Sequence, residues 1–188
     1  MLQHLHIRNL AIVDAVEIDF RQGLTVLTGE TGAGKSIVVD ALQLAPGGRG
    51  GAEMVRHGAE RAEVVATFEL SAADREPRSP LATVFEEQSI DASDELVMRR
   101  LVTADGKSRG YLNGQQVPLQ VLREVGSLLI DIHGQHEFQS LTRPVAQREQ
   151  LDDFAAHQAL VAEVAAAHRE AHQARERLET LAASAADR

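Results

Sequence analysis

The stretch Leu24-Thr-Val-Leu-Thr-Gly-Glu-Thr-Gly-Ala-Gly-Lys-Ser36 decides the fold. Residues 24–28 are apolar or β-branched and are bounded by glycines, which predicts a short buried strand. Residues 29–36 match the pattern G-x-x-x-x-G-K-[ST], and apolar residues at helical spacing continue to Ala45. A strand, a glycine-rich loop and a helix in this order predict a loop that binds phosphate groups.

The residue types in this loop suit that chemistry. Its glycines allow backbone angles that side chains forbid, so that N–H groups can point at an anion. The start of the helix adds partial positive charge. We expect Lys35 to reach the β- and γ-phosphates, as a catalytic residue, and the Ser36 hydroxyl to bind Mg²⁺. The predicted cofactors are ATP and Mg²⁺, and the predicted loop residues are Gly29, Glu30, Thr31, Gly32, Ala33, Gly34, Lys35 and Ser36.

The composition excludes several other classes of function. Of 188 residues, 44% are apolar and 25% charged, as in an ordinary globular domain. Cysteine is absent, which excludes disulfides, thiolate metal sites and cysteine nucleophiles. Five Phe, one Tyr and no Trp argue against stacking on single-stranded nucleic acid. With no apolar run long enough to span a membrane and no signal peptide, a cytoplasmic protein is expected.

The charge distribution argues against a DNA-binding face in this stretch. The formal net charge is −9, from 19 basic and 28 acidic residues. Residues 144–188 hold five basic and eight acidic residues, a sum of −3. This balance favours contact with protein over contact with a phosphate backbone.

The remaining elements follow from periodicity and turn residues. Strands are predicted at 2–7, 16–20, 63–70, 96–103 and 128–132, with a surface loop at 71–80. Asp105-Gly106 and Asn113-Gly114 predict hairpin turns, and Pro118 opens a short helix. Asp131, at the end of the last strand, is a candidate acidic ligand for Mg²⁺ or a structural residue.

From Pro144 onward the chain contains no glycine and no further proline. A 4-3-4-3 spacing of apolar residues predicts a coiled coil, with an amphipathic helix packed on its own domain as the alternative. We therefore expect a head lobe at 1–143 and the start of a coiled-coil arm at 144–188, as the front piece of a longer protein. The stripe consists of Leu160, Val164, Ala167, Ala171, Ala174, Leu178, Leu181 and Ala185.

Several segments together resemble the head domains of SMC-like DNA repair ATPases of bacteria. They are His6-Ile-Arg-Asn-Leu-Ala-Ile-Val13, residues 29–37, residues 44–58 and Ile130-Asp-Ile-His-Gly-Gln-His-Glu137. The resemblance runs from Met1 to about Asp153. It implies an α/β fold: the N-terminal lobe of an ABC/SMC-type P-loop head, with a mixed sheet and a P-loop helix, followed by a long coiled-coil helix.

The resemblance also implies roles for residues outside the loop. Gln135 matches the Q-loop glutamine, which would contact Mg²⁺ and the attacking water, although a plain loop glutamine remains the alternative. Arg56 lies where SMC heads carry an arginine near nucleotide or DNA, or it is a surface arginine. Arg8 and Asn9 match positions that approach the nucleotide. His133 and His136, three residues apart, are expected to be loop residues more than metal ligands.

The resemblance implies half of a head. A signature motif, an Asp-Glu strand end and a switch histidine do not follow Gln135. The implied partners are a second head bound through ATP, the C-terminal half of the same head, DNA and recombination proteins, without a membrane. The implied role is repair of DNA double-strand breaks by a nucleoid-associated protein, and the stretch alone is expected to be inactive.

Three alternatives stay open. One is another ABC-type head, Rad50-like or RecF-like. Another is an unrelated P-loop kinase or GTPase with a helical tail, which would need a complete catalytic set in these residues. The last is a coiled-coil interaction module with a non-functional loop, against which the intact Lys35 and Ser36 argue.

Overall fold

The computed structural model of the chain describes residues 1–30, 34–77, 79–91, 93–132 and 144–186. The chain divides into two compact units, Met1–Ile132 and His133–Arg188. The first contains a sheet with helices packed against it, and the second contains two helices. The boundary at 143/144 between head and arm stays a prediction.

Six strands form one sheet in the first unit. Its order is β2-β1-β3-β4-β5-β6, and every pair of neighbours runs antiparallel. The strands are β1 Leu2–Leu10, β2 Val13–Asp19, β3 Arg61–Glu69, β4 Glu95–Thr103, β5 Ser108–Leu112 and β6 Gln115–Val117.

Alternating sequence patterns explain the strands and set which face is buried. In β3 and β4 every second residue is buried, including Phe68 and Met98. The predicted turn at Asp105-Gly106 joins β4 to β5. The turn at Asn113-Gly114 joins β5 to β6, with φ of 47° and 83° at its two residues, values for which this dipeptide is favoured. Both hairpin predictions are confirmed.

Three α-helices pack on the buried face of the sheet or on one another: α1 Lys35–Leu44, α2 Pro80–Gln88 and α3 Leu119–Leu129. Helices α1 and α3 were expected from the sequence. Helix α2 was not, because residues 71–80 are polar and contain two prolines. Ser79 nevertheless caps it by accepting a hydrogen bond from the Ala82 N–H (3.0 Å), and Pro80 fits the first helical position.

Close contacts hold α3 in place. A Cβ added to Gly110 on β5 would lie 2.8 Å from Leu122 Cδ2, so that a larger residue there would push the end of the Leu122 side chain aside. A Cβ added to Gly126 would lie 2.1 Å from Pro46 Cβ, at the end of the connection that follows α1. Helices α1 and α3 are thus fixed around one continuous core.

The second unit contains α4 Pro144–Phe154 and α5 Gln158–Ala186. Ala156 between them has a φ of 52°, which separates the two helices. Apolar residues of the predicted stripe are exposed, among them Leu160 and Leu178. The long helix is confirmed, and its pairing in a coiled coil stays a prediction. In the described part of the chain, no helix is long and apolar enough to cross a membrane.

Two predicted strands are wrong. Residues 24–28 have no regular structure, and the Leu24 side chain is 91% exposed. Of the segment 128–132, Leu128 and Leu129 belong to the end of α3, and Ile130–Ile132 have no regular structure. A strand needs neighbours that pair with its backbone, and no described strand pairs with either segment. Asp131 is therefore not at the end of a strand.

Candidate nucleotide-binding site

The N-terminal end of α1 has features that suit the binding of an anion. Gly34 precedes the helix with a φ of 91°, in the left-handed region that favours glycine. Gly34 has no side chain that could cap this end, and the first turn contains no acidic residue. The first N–H groups of the helix therefore lack intrahelical partners and add their partial positive charge to the loop. This end of α1 fits the phosphate groups of a nucleotide.

The Lys35 side chain bends back to the beginning of the glycine-rich loop. Its Nζ donates to the carbonyl oxygens of Gly29 and Glu30, the latter at 2.6 Å. The ammonium group thus lies against the beginning of the loop, and the flexible lysine side chain allows it to move to a nearby anion. Thr31, Gly32 and Ala33, which the sequence also assigns to the site, lie outside the described residues.

The metal-binding assignments are not tested. Ser36 is the second residue of α1 and is exposed. Gln135, like His133 and His136, lies outside the described residues. Among residues 1–30, 34–77, 79–91, 93–132 and 144–186, no three His, Cys, Asp or Glu side chains come close enough to hold a metal ion.

The structure brings Arg8, Asn9 and Arg56 together. All three line one cavity of about 470 Å³ at the end of β1. The Arg56 N–H donates to the Asn9 carbonyl (2.9 Å), and its Nη1 donates to Asp14 Oδ1 (3.2 Å). Among the described residues of the glycine-rich loop, none lines this cavity. Their contact with a nucleotide stays a prediction.

Two further basic residues of this cavity were missed from the sequence. His57 and Arg61 line it, together with the acidic Glu60 and Glu63. Glu63 lies opposite Arg8 in the pairing of β3 with β1. The signal that could have found them is the alternation of charged and apolar residues at the start of β3, which puts residues 61 and 63 on one face.

A second cavity, of about 270 Å³, lies between the strands β1 and β2 and the start of α1. Ile7, Ile18 and Val38 line it on the apolar side, and Thr28 and Lys35 reach its border. This apolar lining does not suit phosphate groups.

Comparison with known proteins assigns the fold and the family. The model of the AAA domain family matches residues 4–184. Among solved structures, an SMC ATPase studied for ATP-driven dimerization and DNA-stimulated activation is 23% identical (TM-score 0.59), with 81% of this chain and 98% of that chain covered. The SMC head domain of Thermotoga maritima is 23% identical (TM-score 0.50; 65% and 41% covered). The expected α/β SMC-type head fold is confirmed.

Two relatives of this chain are DNA repair proteins named RecN. The DNA repair protein RecN of Vibrio cholerae is 42% identical over 182 residues, which are 96% of this chain and 32% of that protein. RecN of Bacillus subtilis is 49% identical over 156 residues, 82% of this chain and 26% of the relative. The chain thus spans about a third or less of the relatives that it matches. Since the family model covers most of its length, the chain belongs to the AAA domain family, and it is similar to a part of RecN.

Proposed function

We propose that this chain is the nucleotide-gripping lobe of a RecN-like, SMC-family ATPase that acts in recombinational repair of DNA double-strand breaks. The observation that carries the proposal is the uncapped start of α1, with Gly34 in the left-handed region and the Lys35 ammonium on the loop carbonyls. The similarity to RecN favours this ATPase over a Rad50-like or RecF-like head.

In the proposed mechanism, each residue of the loop has a defined task. The N–H groups that follow Gly34 bind phosphate oxygens, and the helix dipole favours their negative charge. The Lys35 ammonium exchanges the carbonyl oxygens of Gly29 and Glu30 for β- and γ-phosphate oxygens. Ser36 would hold Mg²⁺, which would neutralise charge on the phosphates. Gln135 positions the attacking water.

The basic cavity at the end of β1 completes this side of the proposed site. Arg8, Asn9 and Arg56 approach the nucleotide from there, and the ion pair with Asp14 orients Arg56. Arginine suits this task because its guanidinium stays charged and binds phosphate oxygens with a rigid fork of donors.

The remainder of the head comes from outside this stretch in our proposal. The segment 24–28 is apolar and exposed, and the C-terminal half of the same head would cover it. That half would also bring the signature motif and the acidic strand end. ATP would then join two heads, and DNA and recombination proteins would bind the complete protein at the bacterial nucleoid.

ATP binding by the isolated chain tests the proposal. We expect weak binding of ATP–Mg²⁺ in isothermal titration calorimetry, reduced about 10-fold to 100-fold by Lys35→Ala because a charge-assisted contact is lost. Lys107→Ala is the matched control: Lys107 pairs with Asp105 in the β4–β5 turn, and its removal should leave ATP affinity unchanged.

Hydrolysis tests the half-head interpretation separately. We expect no more than a trace of phosphate release from this chain alone, since the acidic strand end is not part of the sequence. Brisk release by the single chain, abolished by Lys35→Ala, would contradict this interpretation and point to a complete P-loop enzyme.

A further inference from the structure

Arg100 has an unusual position for a charged residue. It lies on β4 at an inward position, in alternation with the buried Met98 and Val102. Its side chain is 2% exposed, and among the described residues Arg100 is the one charged residue that is buried. Arginine stays protonated at any physiological pH, so that a full positive charge lies inside this unit.

Among the described residues, no acid compensates this charge. The Nε and Nη1 atoms of Arg100 are buried without a hydrogen-bond partner. Its neighbours across the sheet are Val64 on β3 and Gly110 on β5, and neither side chain can accept a hydrogen bond. The described ion pairs join acidic residues to other bases, including Glu63 to Arg99, and none involves Arg100.

A second arginine adds to the imbalance. Arg123 on α3 lies near enough that, after burial, its charge is the second cause of a lowered Arg100 pKa. Arg123 Nε donates to the Gly47 carbonyl (2.8 Å), which fixes the connection after α1 on α3. A Cβ on Gly47 would come within 2.9 Å of Arg123 Cγ, and the φ of Gly47 is 86°. Arg123 itself is exposed, and the described ion pairs join no acid to either arginine.

Burying an unpaired guanidinium is strongly unfavourable, and native proteins almost always supply acceptors to such groups. Water could accept hydrogen bonds but would leave the charge, whereas a carboxylate satisfies two donors of the fork and neutralises it. A carboxylate that reached Arg100 would therefore remove the cost of its unpartnered Nε and Nη1 groups better than water would.

We propose that Arg100, with Arg123 beside it, receives an Asp or Glu carboxylate from the part of the polypeptide that RecN relatives carry beyond this stretch. This rests on the proposed function, in which the chain is one lobe of a larger head. The charge pair would then lock the two lobes together next to α3, in addition to any pairing of strands.

Arg100→Met tests this proposal because we expect it to change the midpoint of thermal unfolding in opposite directions in the 188-residue chain and in the full-length protein. In the chain of 188 residues the substitution removes an uncompensated buried charge, and we expect the midpoint of thermal unfolding to rise by about 3 °C. In the protein extended to the full length of its relatives, Arg100→Met would leave a buried carboxylate without its partner. We therefore expect the midpoint of thermal unfolding of the head to fall by at least about 5 °C.

Arg99→Met is the matched control. Arg99 is the preceding residue on β4, faces the other side of the sheet, pairs with Glu63 and lies 5.3 Å from the centre of the Tyr111 ring. These contacts are complete within the chain, so that its substitution should lower the midpoint to a similar extent in both contexts. A change of the same sign for Arg100→Met in both contexts would overturn the proposal.

A free anion is the competing source of the acceptor. If inorganic phosphate raises the midpoint of the Lys35→Ala chain, and Arg100→Met abolishes this rise, the pair binds a free anion and the proposal is wrong. No such rise supports it. ATP affinity of the Arg100→Met chain should equal that of the unchanged chain, so that loss of ATP binding reports on the loop and failure of the sign change reports on Arg100.

Discussion

Strand β3 and the segment 24–28 have similar sequences and different structures. Both are rich in β-branched and apolar residues. In β3, flanked by β1 and β4, residues such as Phe68 and Val64 are fully buried. In the segment 24–28, Leu24 and Val26 are 91% and 68% exposed and no described strand lies beside it. The difference shows that apolar sequence makes a strand possible, whereas backbone partners on either side make it form.

This contrast has a functional side. The segment 24–28 leads directly into Gly29 and therefore carries one end of the glycine-rich loop. The other end is anchored by α1, which packs on β1 and β3. In the structure, one end of the loop is held by a folded core, and the other is held by the contact of Lys35 with the carbonyls of Gly29 and Glu30.

The largest expected difference lies between core and segment. Phe68→Ala should lower the free energy of unfolding by about 3–5 kcal/mol, because it leaves a cavity beneath the helices. Leu24→Ala should change it by less than about 0.5 kcal/mol, since the side chain is mostly in solvent. Urea denaturation followed by circular dichroism measures both. A loss above about 2 kcal/mol for Leu24→Ala would show that the segment is packed, and would remove the contrast.

A second pair of substitutions tests how closely α3 packs against its neighbours. Gly126→Ala should cost about 1–3 kcal/mol, since the new methyl group collides with Pro46 where α3 meets the connection after α1. Alanine ordinarily favours a helix, so a destabilising result reports the collision alone.

Gly58→Ala is the control for this pair. Gly58 has a φ of 83° and nothing within 4 Å of an added Cβ, so that only backbone strain of about 1 kcal/mol is expected. Denaturation in urea compares the two variants. If Gly126→Ala stabilised the chain, α3 would lie farther from Pro46 than the structure places it.

The smallest expected effect is a change in how stability depends on pH, and it concerns the segment in which Ser71 bonds to Asp74. Ser71 donates to Asp74 through its hydroxyl (2.7 Å) and its N–H (2.9 Å), and this lowers the Asp74 pKa below its ordinary 3.8. A lowered pKa in the folded state adds stability above pH 3.8, which is lost as the pH falls through the folded value. We therefore expect the thermal midpoint of Asp74→Asn to depend less on pH below about pH 4 than that of the unchanged chain. Equal pH dependence in differential scanning calorimetry would contradict the assignment.

Local signals were sufficient for most of the sheet and for the start of the site. Alternation identified β3 and β4, turn dipeptides identified two hairpins, and the motif around Lys35 identified the start of α1. The resemblance named Arg8, Asn9 and Arg56 one by one as residues near the nucleotide, and the structure adds that they line one cavity.

What was missed depended on contacts distant in sequence. Residues 128–132 were predicted as a strand, but Leu128 and Leu129 extend α3, since an apolar run of this length suits a helix end equally well. Helix α2 depends on a cap by Ser79 in a segment that is otherwise typical of a loop. Arg100 shows no local signal except a polar residue at an inward position of an alternating strand.

The outer strand β2 also bears on how this protein behaves at high concentration. β2 lies at one edge of the sheet, and Asp14, Glu17 and Asp19 are exposed along it. Like charges along an open edge discourage a second molecule from adding its own strand there. The segment 24–28, only a few residues later, has no charged residue at all. Aggregation, if the chain is concentrated alone, should therefore begin at Leu24–Thr28 and spare β2.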